Sequence, residues 1–138
     1  MNTTLFMTEN TSVPNKFNNS VMIVEDDRIV AKLLSHTLTQ RGFDVQIADN
    51  GRQAIENLDQ IRPADLVLLD IMLPFADGFE VLSQIRSRQS WQKVPIIMLT
   101  SKTQEPNVVR AFEGGADDYM TKPFQLGELM VRINRLMK

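Results

Sequence analysis

Five short strand-like runs alternate along the chain with segments whose apolar residues recur at the three- and four-residue spacing of a helix. The runs cover residues 21–24, 44–48, 65–70, 95–100 and 118–121. Short apolar runs bounded by turn-forming residues are typical of strands that are buried on both faces. Strict alternation of strand and helix favours a parallel sheet, because two parallel strands need a crossover segment, usually a helix, between them.

Capping residues indicate where the predicted helices begin and end. Asp27, Asn50 and Asp77 can each accept a hydrogen bond from the first turn of a helix, which predicts three helix starts. Gly42 and the pair Gly114–Gly115 predict two helix ends. Together these signals predict a flavodoxin-like α/β fold, a doubly wound five-stranded parallel sheet in the order 2-1-3-4-5 with helices on both faces.

The first 19 residues differ in composition from the rest of the chain, being rich in Asn, Thr and Ser. Such a segment buries too little apolar surface to offset the entropy that is lost on ordering it. We therefore predict a disordered N-terminal leader over residues 1–19 and one folded domain over residues 20–138. Two interpretations of that domain stay open, a protein that acts alone and one part of a longer chain.

Composition excludes several classes of function. The sequence has no cysteine, which excludes disulfides, thiolate metal sites and a cysteine nucleophile, and which fits a cytoplasmic protein. With one histidine, His36, it cannot form a multi-histidine metal site. Its 15 basic and 17 acidic residues do not predict a surface that binds nucleic acid directly. Its apolar runs are far shorter than the roughly 20 residues that cross a membrane.

Polar side chains follow four of the five predicted strands, at the point where each strand ends. Glu25 and Asp26 follow the first strand, Asp70 ends the third, Thr100 ends the fourth and Lys122 follows the fifth. Right-handed crossovers bring the carboxyl ends of parallel strands to one edge of the sheet, where ligands bind in this kind of fold. We therefore expect these five side chains to converge.

The chemistry of this set is that of a hard metal ion and a transferred phosphoryl group. Clustered carboxylates need a cation, and an oxygen-only set suits Mg²⁺. Asp26 and Asp70 are the predicted direct ligands, Glu25 would act through water, and the backbone carbonyl of Met72 would add an oxygen. An aspartate can form an aspartyl-phosphate, and Asp70 is the predicted nucleophile.

In that reaction Thr100 and Lys122 would neutralise charge on the phosphoryl oxygens alongside the metal. Taken singly, each of these residues has a simpler interpretation as a helix cap, a strand hydroxyl or a solvated charge. The hypothesis therefore depends on all of them meeting at one edge of the sheet.

Three alternatives share parts of this pattern. A phosphatase of the haloacid dehalogenase type needs a second acid two residues after the nucleophile, where this chain has Met72. A flavodoxin-like electron carrier would place its flavin phosphate after the first strand, where Glu25 and Asp26 would repel it. A scaffold that has lost phosphorylation usually lacks part of the set that is complete here.

Several stretches resemble the receiver domain of two-component response regulators. They are Val24–Asp27, Leu69–Pro74 with Asp77–Gly78, Met98–Ser101 and Gly115–Phe124. The resemblance extends over residues 20 to 137. It implies that Asp70 accepts a phosphoryl group, with Mg²⁺ bound by Glu25 and Asp26, from a sensor histidine kinase or a histidine phosphotransfer protein. The result would be a switch that controls a partner or an output domain.

The resemblance also implies how the switch works. Thr100 and Lys122 would sense the phosphoryl group, and Tyr119 would turn inward when Thr100 moves. The bond between Lys122 and Pro123 would be cis. Met72 and Lys102, each two residues beyond a site residue, would shield the phosphoryl group from water, which predicts slow self-dephosphorylation.

Within the family, the last helix most resembles the subfamily that is fused to winged-helix DNA-binding domains. That subfamily implies a phosphorylation-dependent homodimer whose face would include Arg110, Glu113, Asp117, Asp118, Glu128 and Arg132. Val108 and Asn134 depart from the pattern, because the subfamily usually has basic residues at these positions. A weak dimer and an ordinary solvated surface are both consistent with these charges.

Overall fold

The computed structural model describes residues 19–101 and 105–137. The predicted leader, apart from Asn19, lies outside these residues. The elements are β1 (Ser20–Val24), α1 (Arg28–Gln40), β2 (Asp44–Ala48), α2 (Gly51–Gln60), β3 (Leu66–Leu69), α3 (Gly78–Ser87), β4 (Ile96–Thr100), α4 (Glu105–Glu113), β5 (Asp118–Thr121) and α5 (Leu126–Leu136). Among the helices described, none has the length and apolar character needed to cross a bilayer.

The five strands form one parallel sheet in the order β2-β1-β3-β4-β5, which confirms the predicted fold class. Alternate residues of the central strands enter two separate apolar cores, as the two-residue period of a strand requires. Met22 and Val24 pack on the side of α2 and α3. Val21 and Ile23 pack on the side of α1 and α5. Burial on both faces explains why these strands appear as continuous apolar runs in the sequence.

The three predicted capping residues cap helices. Asp27 accepts hydrogen bonds from the backbone N–H groups of Ile29 at 2.9 Å and Val30 at 3.3 Å. The side chains of Asn50 and Asp77 cap α2 and α3 in the same way. These caps fix the points at which β1, β2 and the loop after β3 turn back into helices, and so they fix the edge of the sheet where the site lies.

Two helices bury less of their apolar stripe than the spacing indicates. In α1 the side chains of Ile29 and Leu33 are exposed, and the helix packs on the sheet through Leu34 and Leu38. In α4 Ala111 is the buried residue, whereas Val109 and Phe112 are exposed, as are the polar side chains beside them. The apolar spacing therefore predicts the positions of these helices correctly, but it overestimates how many of their apolar side chains are buried.

Candidate functional site

Three carboxylates meet at the carboxyl edge of the sheet, as predicted. Glu25, Asp26 and Asp70 each offer an oxygen that lies within 4.8 Å of the other two. Glu25 and Asp70 are buried, with 3% and 6% of their surface exposed, whereas Asp26 is exposed. They line one cleft together with Met72 and Lys122. Two buried acids this close repel each other when both are ionised, so the site requires a cation.

Lys122 supplies a cation to this site. Its Nζ atom lies 2.5 Å from Oε1 of Glu25 and 3.0 Å from Oδ2 of Asp70. Burial raises the pKa of Glu25 above its ordinary value, and the hydrogen bond from Lys122 offsets part of that effect. Burial alone would lower the pKa of Lys122, but its hydrogen bonds to both carboxylates outweigh burial and raise this pKa.

The backbone of β1 and of the loop after β3 fixes the position of Asp70. The N–H of Asp70 donates to the carbonyl of Val24 at 3.1 Å, which ties the end of β3 to the end of β1. The N–H of Met72 donates to Oδ1 of Asp70 at 3.3 Å. At Gly78 the chain returns so close to Asp70 that a β-carbon there would collide with the carbonyl oxygen of Asp70. Only glycine fits this approach.

The predicted sensing residues Thr100 and Tyr119 lie on β4 and β5, the strands whose following residues Ser101 and Lys122 line the cleft. Thr100 is fully buried at the end of β4, and its carbonyl accepts a hydrogen bond of 3.0 Å from the N–H of Lys122. Tyr119 is half-buried in β5, where burial, followed by the charge of Asp70, raises the pKa of its phenol. The Lys122–Pro123 bond is cis, as the resemblance implies. Lys102, the predicted second shielding residue, lies outside the described residues.

The charges of the predicted dimer face are largely engaged within this one chain. The buried carboxylate of Asp118 binds both Arg132, at 2.8 Å, and Arg135, at 3.1 Å. Arg132 also contacts Glu128, one helical turn earlier, at 3.0 Å. The described residues therefore present this face with most of its arginine and aspartate groups already paired.

Two further members of that face make contacts with α3. Asp117 accepts a hydrogen bond of 3.1 Å from Arg86, and the guanidinium of Arg110 lies 4.1 Å from the centre of the Phe79 ring. Glu113 is exposed at the end of α4. The guanidinium of Arg86 also donates to three backbone carbonyls, those of Gln92, Val94 and Gly115. No pattern in the sequence singles out this arginine.

The residues present fit a magnesium ion. All the candidate side-chain donors are oxygens, two of the three carboxylates are buried, and one is exposed towards solvent. Mg²⁺ prefers one or two carboxylates and keeps several waters, and a half-open cleft of this kind accommodates both. Glu25, Asp26 and Asp70 are therefore the residues that would hold it.

Fold and site together define a doubly wound domain with an acidic, lysine-containing centre at a switch point of the sheet. The sequence model of the response regulator receiver domain matches residues 21–134. The chain belongs to this family, and it is a receiver domain of the two-component response regulators.

Two curated relatives illustrate the similarity to longer response regulators. The alkaline phosphatase synthesis transcriptional regulatory protein PhoP of Bacillus subtilis is 39% identical over 121 residues, which are 88% of this chain and 49% of PhoP. The DNA-binding response regulator MtrA of Mycobacterium tuberculosis is 41% identical over 118 residues, 86% of this chain and 50% of MtrA. The chain thus spans about half the length of the curated relatives it matches.

Solved structures agree with this assignment. The BeF₃-activated receiver domain of RstA from Klebsiella pneumoniae has a TM-score of 0.79 at 35% identity, covering 87% of this chain and 99% of that one. The receiver domain of a sensor histidine kinase from Pseudomonas aeruginosa has a TM-score of 0.79 at 28% identity, covering 87% and 98%. The latter contains a magnesium ion coordinated in its active-site cleft.

Proposed function

We propose that Asp70 is the phosphoacceptor, and that it takes its phosphoryl group from a histidine kinase or a histidine phosphotransfer protein in a Mg²⁺-dependent reaction. One observation carries the proposal. Asp70 places a buried carboxylate at the end of β3 with the Lys122 ammonium 3.0 Å from one of its oxygens and with Glu25 and Asp26 beside it. That is the arrangement an aspartyl nucleophile needs, since it is fixed in place and its charge is balanced.

The chemical step is a transfer between two nucleophiles. A carboxylate oxygen of Asp70 attacks the phosphorus atom, the bond from phosphorus to the donor nitrogen breaks, and the nitrogen keeps the electron pair. Lys122 is positioned to neutralise a phosphoryl oxygen, because its Nζ already lies at the carboxylate. Thr100 would donate its hydroxyl to a second oxygen. Bound Mg²⁺ supplies further charge neutralisation and orients the incoming group.

Glu25, Asp26 and Asp70 would hold the metal, and the carbonyl of Met72 would add one more oxygen. Slow self-dephosphorylation belongs to the same proposal. The Met72 side chain borders the cleft with about half of its surface exposed, so it covers one approach for water. The domain would therefore hold its phosphoryl group long enough to act on a partner in the cytoplasm.

The conformational change caused by phosphorylation would pass through Thr100, Tyr119 and Pro123 to the surface formed by α4, β5 and α5. A phosphoryl group on Asp70 adds charge that Thr100 can bind, which biases the domain between two conformations. Tyr119 of β5 pairs with Met98 of β4, and Thr100 lies two residues further along β4, on the same face of the sheet. Movement at Thr100 would reach Tyr119 along this diagonal between neighbouring strands.

A phosphorylation-dependent homodimer is part of the proposal, although it would be weak. Asp118 and Arg132 already bind each other within one chain, so a dimer that uses them exchanges one set of ion pairs for another. Because such an exchange forms about as many ion pairs as it breaks, its net contribution to the free energy of dimerisation is small. A winged-helix output domain, of the kind the resemblance implies, would be a natural partner for this surface.

The test is the intact mass of the protein after incubation with acetyl phosphate, with and without Mg²⁺. We expect the wild type to gain one phosphoryl group only with Mg²⁺ and the Asp70→Asn variant to gain none. Asp44→Asn is the matched control, since Asp44 is an exposed acid at the opposite edge of the sheet. A folded wild type that gains no phosphoryl group would instead identify a phosphate-independent scaffold.

A further inference from the structure

The loop that follows Asp70 contains a strained turn. Phe75 has a φ of +75°, and the N–H of Ala76 donates to the carbonyl of Pro74 at 2.9 Å. A hydrogen bond between residues i and i+2, with a positive φ at the residue between them, defines the γ-turn of the rare and strained kind. Phe75 is also 73% exposed, so burial of its ring does not compensate for the strain. Strain that persists without such compensation is typical of functional segments.

The first turn of α2 holds this γ-turn in place. The N–H of Gly51 donates to the carbonyl of Pro74 at 3.1 Å. A β-carbon on Gly51 would collide with the carbonyl of Ala76, so the two backbones are in direct contact. The guanidinium of Arg52 lies 4.4 Å from the centre of the Phe75 ring, which is a cation–π contact. We call these five residues, Gly51, Arg52, Pro74, Phe75 and Ala76, the loop clamp.

The clamped loop is the segment that borders the reactive carboxylate. Met72 and Pro74 line the same cleft as Asp70. The near end of the loop is tied to Asp70 through the N–H of Met72, and its far end through the contact of Gly78 with the Asp70 carbonyl. The loop clamp is the third point of attachment, between these two. It therefore limits where the backbone around Met72 can lie.

We propose that Arg52 and Phe75 are positioning residues that raise the affinity of the site for Mg²⁺ by fixing the loop after Asp70. Neither side chain belongs to the metal site itself, and both act through the backbone between Met72 and Ala76. The inference rests on the proposed function, because it assigns the clamped loop to the same metal site. It explains why a bulky aromatic occupies a position at which glycine would be free of strain.

The test measures Mg²⁺ binding by isothermal titration calorimetry on the wild type, Arg52→Ala, Phe75→Gly and the double variant. We expect Arg52→Ala to weaken binding by about two- to fivefold, the range that corresponds to an exposed cation–π contact. Loss of a positive charge would by itself strengthen the binding of a cation, so a weaker affinity identifies the positional effect. The double variant should match Phe75→Gly, because the two residues act as one contact.

A purely structural role predicts a different pattern. Phe75→Gly relieves the positive φ, so its thermal midpoint should equal or exceed that of the wild type while its Mg²⁺ affinity falls. Arg88→Ala is the matched control, because it removes an arginine contact to Asp59, between α2 and α3, away from the loop. It should lose some stability and bind Mg²⁺ as the wild type does.

Rates of phosphorylation by acetyl phosphate give a second readout. Arg52→Ala and Phe75→Gly should be slow at low Mg²⁺ and reach the wild-type rate at saturating Mg²⁺. Wild-type Mg²⁺ affinity in both variants would overturn the inference and leave the proposed function standing. A wild type that neither binds Mg²⁺ nor accepts a phosphoryl group would overturn the proposed function itself.

Discussion

The ammonium of Lys122 lies 2.5 Å from the buried carboxylate of Glu25, a residue 97 positions earlier in the chain. The same nitrogen contacts Asp70 at 3.0 Å. Lys122 thus stands between two acids that would otherwise repel each other in a poorly solvated site. In the absence of metal it acts as their counter-ion, and under the proposed function it would neutralise a phosphoryl oxygen on Asp70.

We expect Lys122→Ala to destabilise the metal-free protein by about 3 kcal/mol, because removing one partner leaves buried charge without compensation. Mg²⁺ should restore most of this loss, since it supplies the missing cation, and should stabilise the variant more than the wild type. The measurement is urea unfolding with and without Mg²⁺, followed by the fluorescence of the buried Trp91. If Mg²⁺ stabilised the wild type and Lys122→Ala equally, the role of Lys122 as the counter-ion would be contradicted. Lys32→Ala, on the exposed side of α1, is the control.

Gly78 and Gly127 provide a matched pair of glycine substitutions. A β-carbon at Gly78 would collide with the carbonyl of Asp70, whereas one at Gly127, in the first turn of α5, would meet nothing within 4 Å. Gly78→Ala should cost at least about 2 kcal/mol, because the backbone of the site has to shift. Gly127→Ala should stabilise by up to about 1 kcal/mol, since alanine is the better helix former. Both changes in the free energy of unfolding are measured by urea unfolding. A Gly78→Ala variant as stable as the wild type would contradict the prediction and show that the loop can move without cost.

The two arginine partners of Asp118 differ in their exposure to solvent. The Arg132 side chain is 33% exposed and bonds both carboxylate oxygens, whereas that of Arg135 is 65% exposed and bonds one. Arg132→Ala should therefore cost about 1–2 kcal/mol and Arg135→Ala less than about 0.5 kcal/mol. The double variant should lose more unfolding free energy than the sum of the two single losses. In each single variant the remaining arginine still neutralises the buried carboxylate, and in the double variant neither does. A strictly additive result in urea unfolding would contradict this shared role.

The pair of Asp59 and Arg88 predicts a pH dependence. The hydrogen bond from Arg88 lowers the pKa of the Asp59 carboxyl below its ordinary value. A lowered pKa contributes stability that is present above the ordinary pKa and is lost as the pH falls through the lowered one. Arg88→Ala should therefore be less stable than the wild type at about pH 7, and this gap should close towards about pH 2. A stability difference that persists at low pH would mean that Arg88 stabilises the protein through packing and not through the charge of Asp59. Lys93→Ala, on an exposed turn, is the control.

The five-stranded parallel sheet, the helix caps and the meeting of Glu25, Asp70 and Lys122 could all be predicted from the sequence. They depend on short apolar runs and on the rule that parallel strands end at one edge, and both are local or topological properties. The γ-turn at Phe75 could not be predicted, because the residues on either side of Phe75 contact Gly51, which lies 24 residues earlier in the chain. Tertiary contacts of this kind leave no periodic signal.

The predicted dimer face shows a second limit of prediction from sequence. Charge signs at Asp117 and Asp118 are visible in the sequence, but the directions of their side chains are not. The structure turns Asp117 towards Arg86 and Asp118 towards Arg132 of the same chain. Pairing within the chain or between two copies is decided by side-chain geometry, which a charge pattern does not contain.

The exposed side chain of Met72 predicts the lifetime of the phosphorylated state. It borders the cleft beside Asp70 with 54% of its surface exposed, where we propose that it shields one approach for water. We expect wild-type self-dephosphorylation to be slow and Met72→Ala to hydrolyse about threefold faster, which corresponds to a barrier lower by about 0.65 kcal/mol. The measurement follows intact mass over time after acetyl phosphate is removed. The control is Val131→Ala, which truncates another exposed apolar side chain, on α5. A wild-type lifetime as short as that of fast-switching chemotaxis receivers would contradict shielding by Met72, because water would then already reach the phosphoryl group.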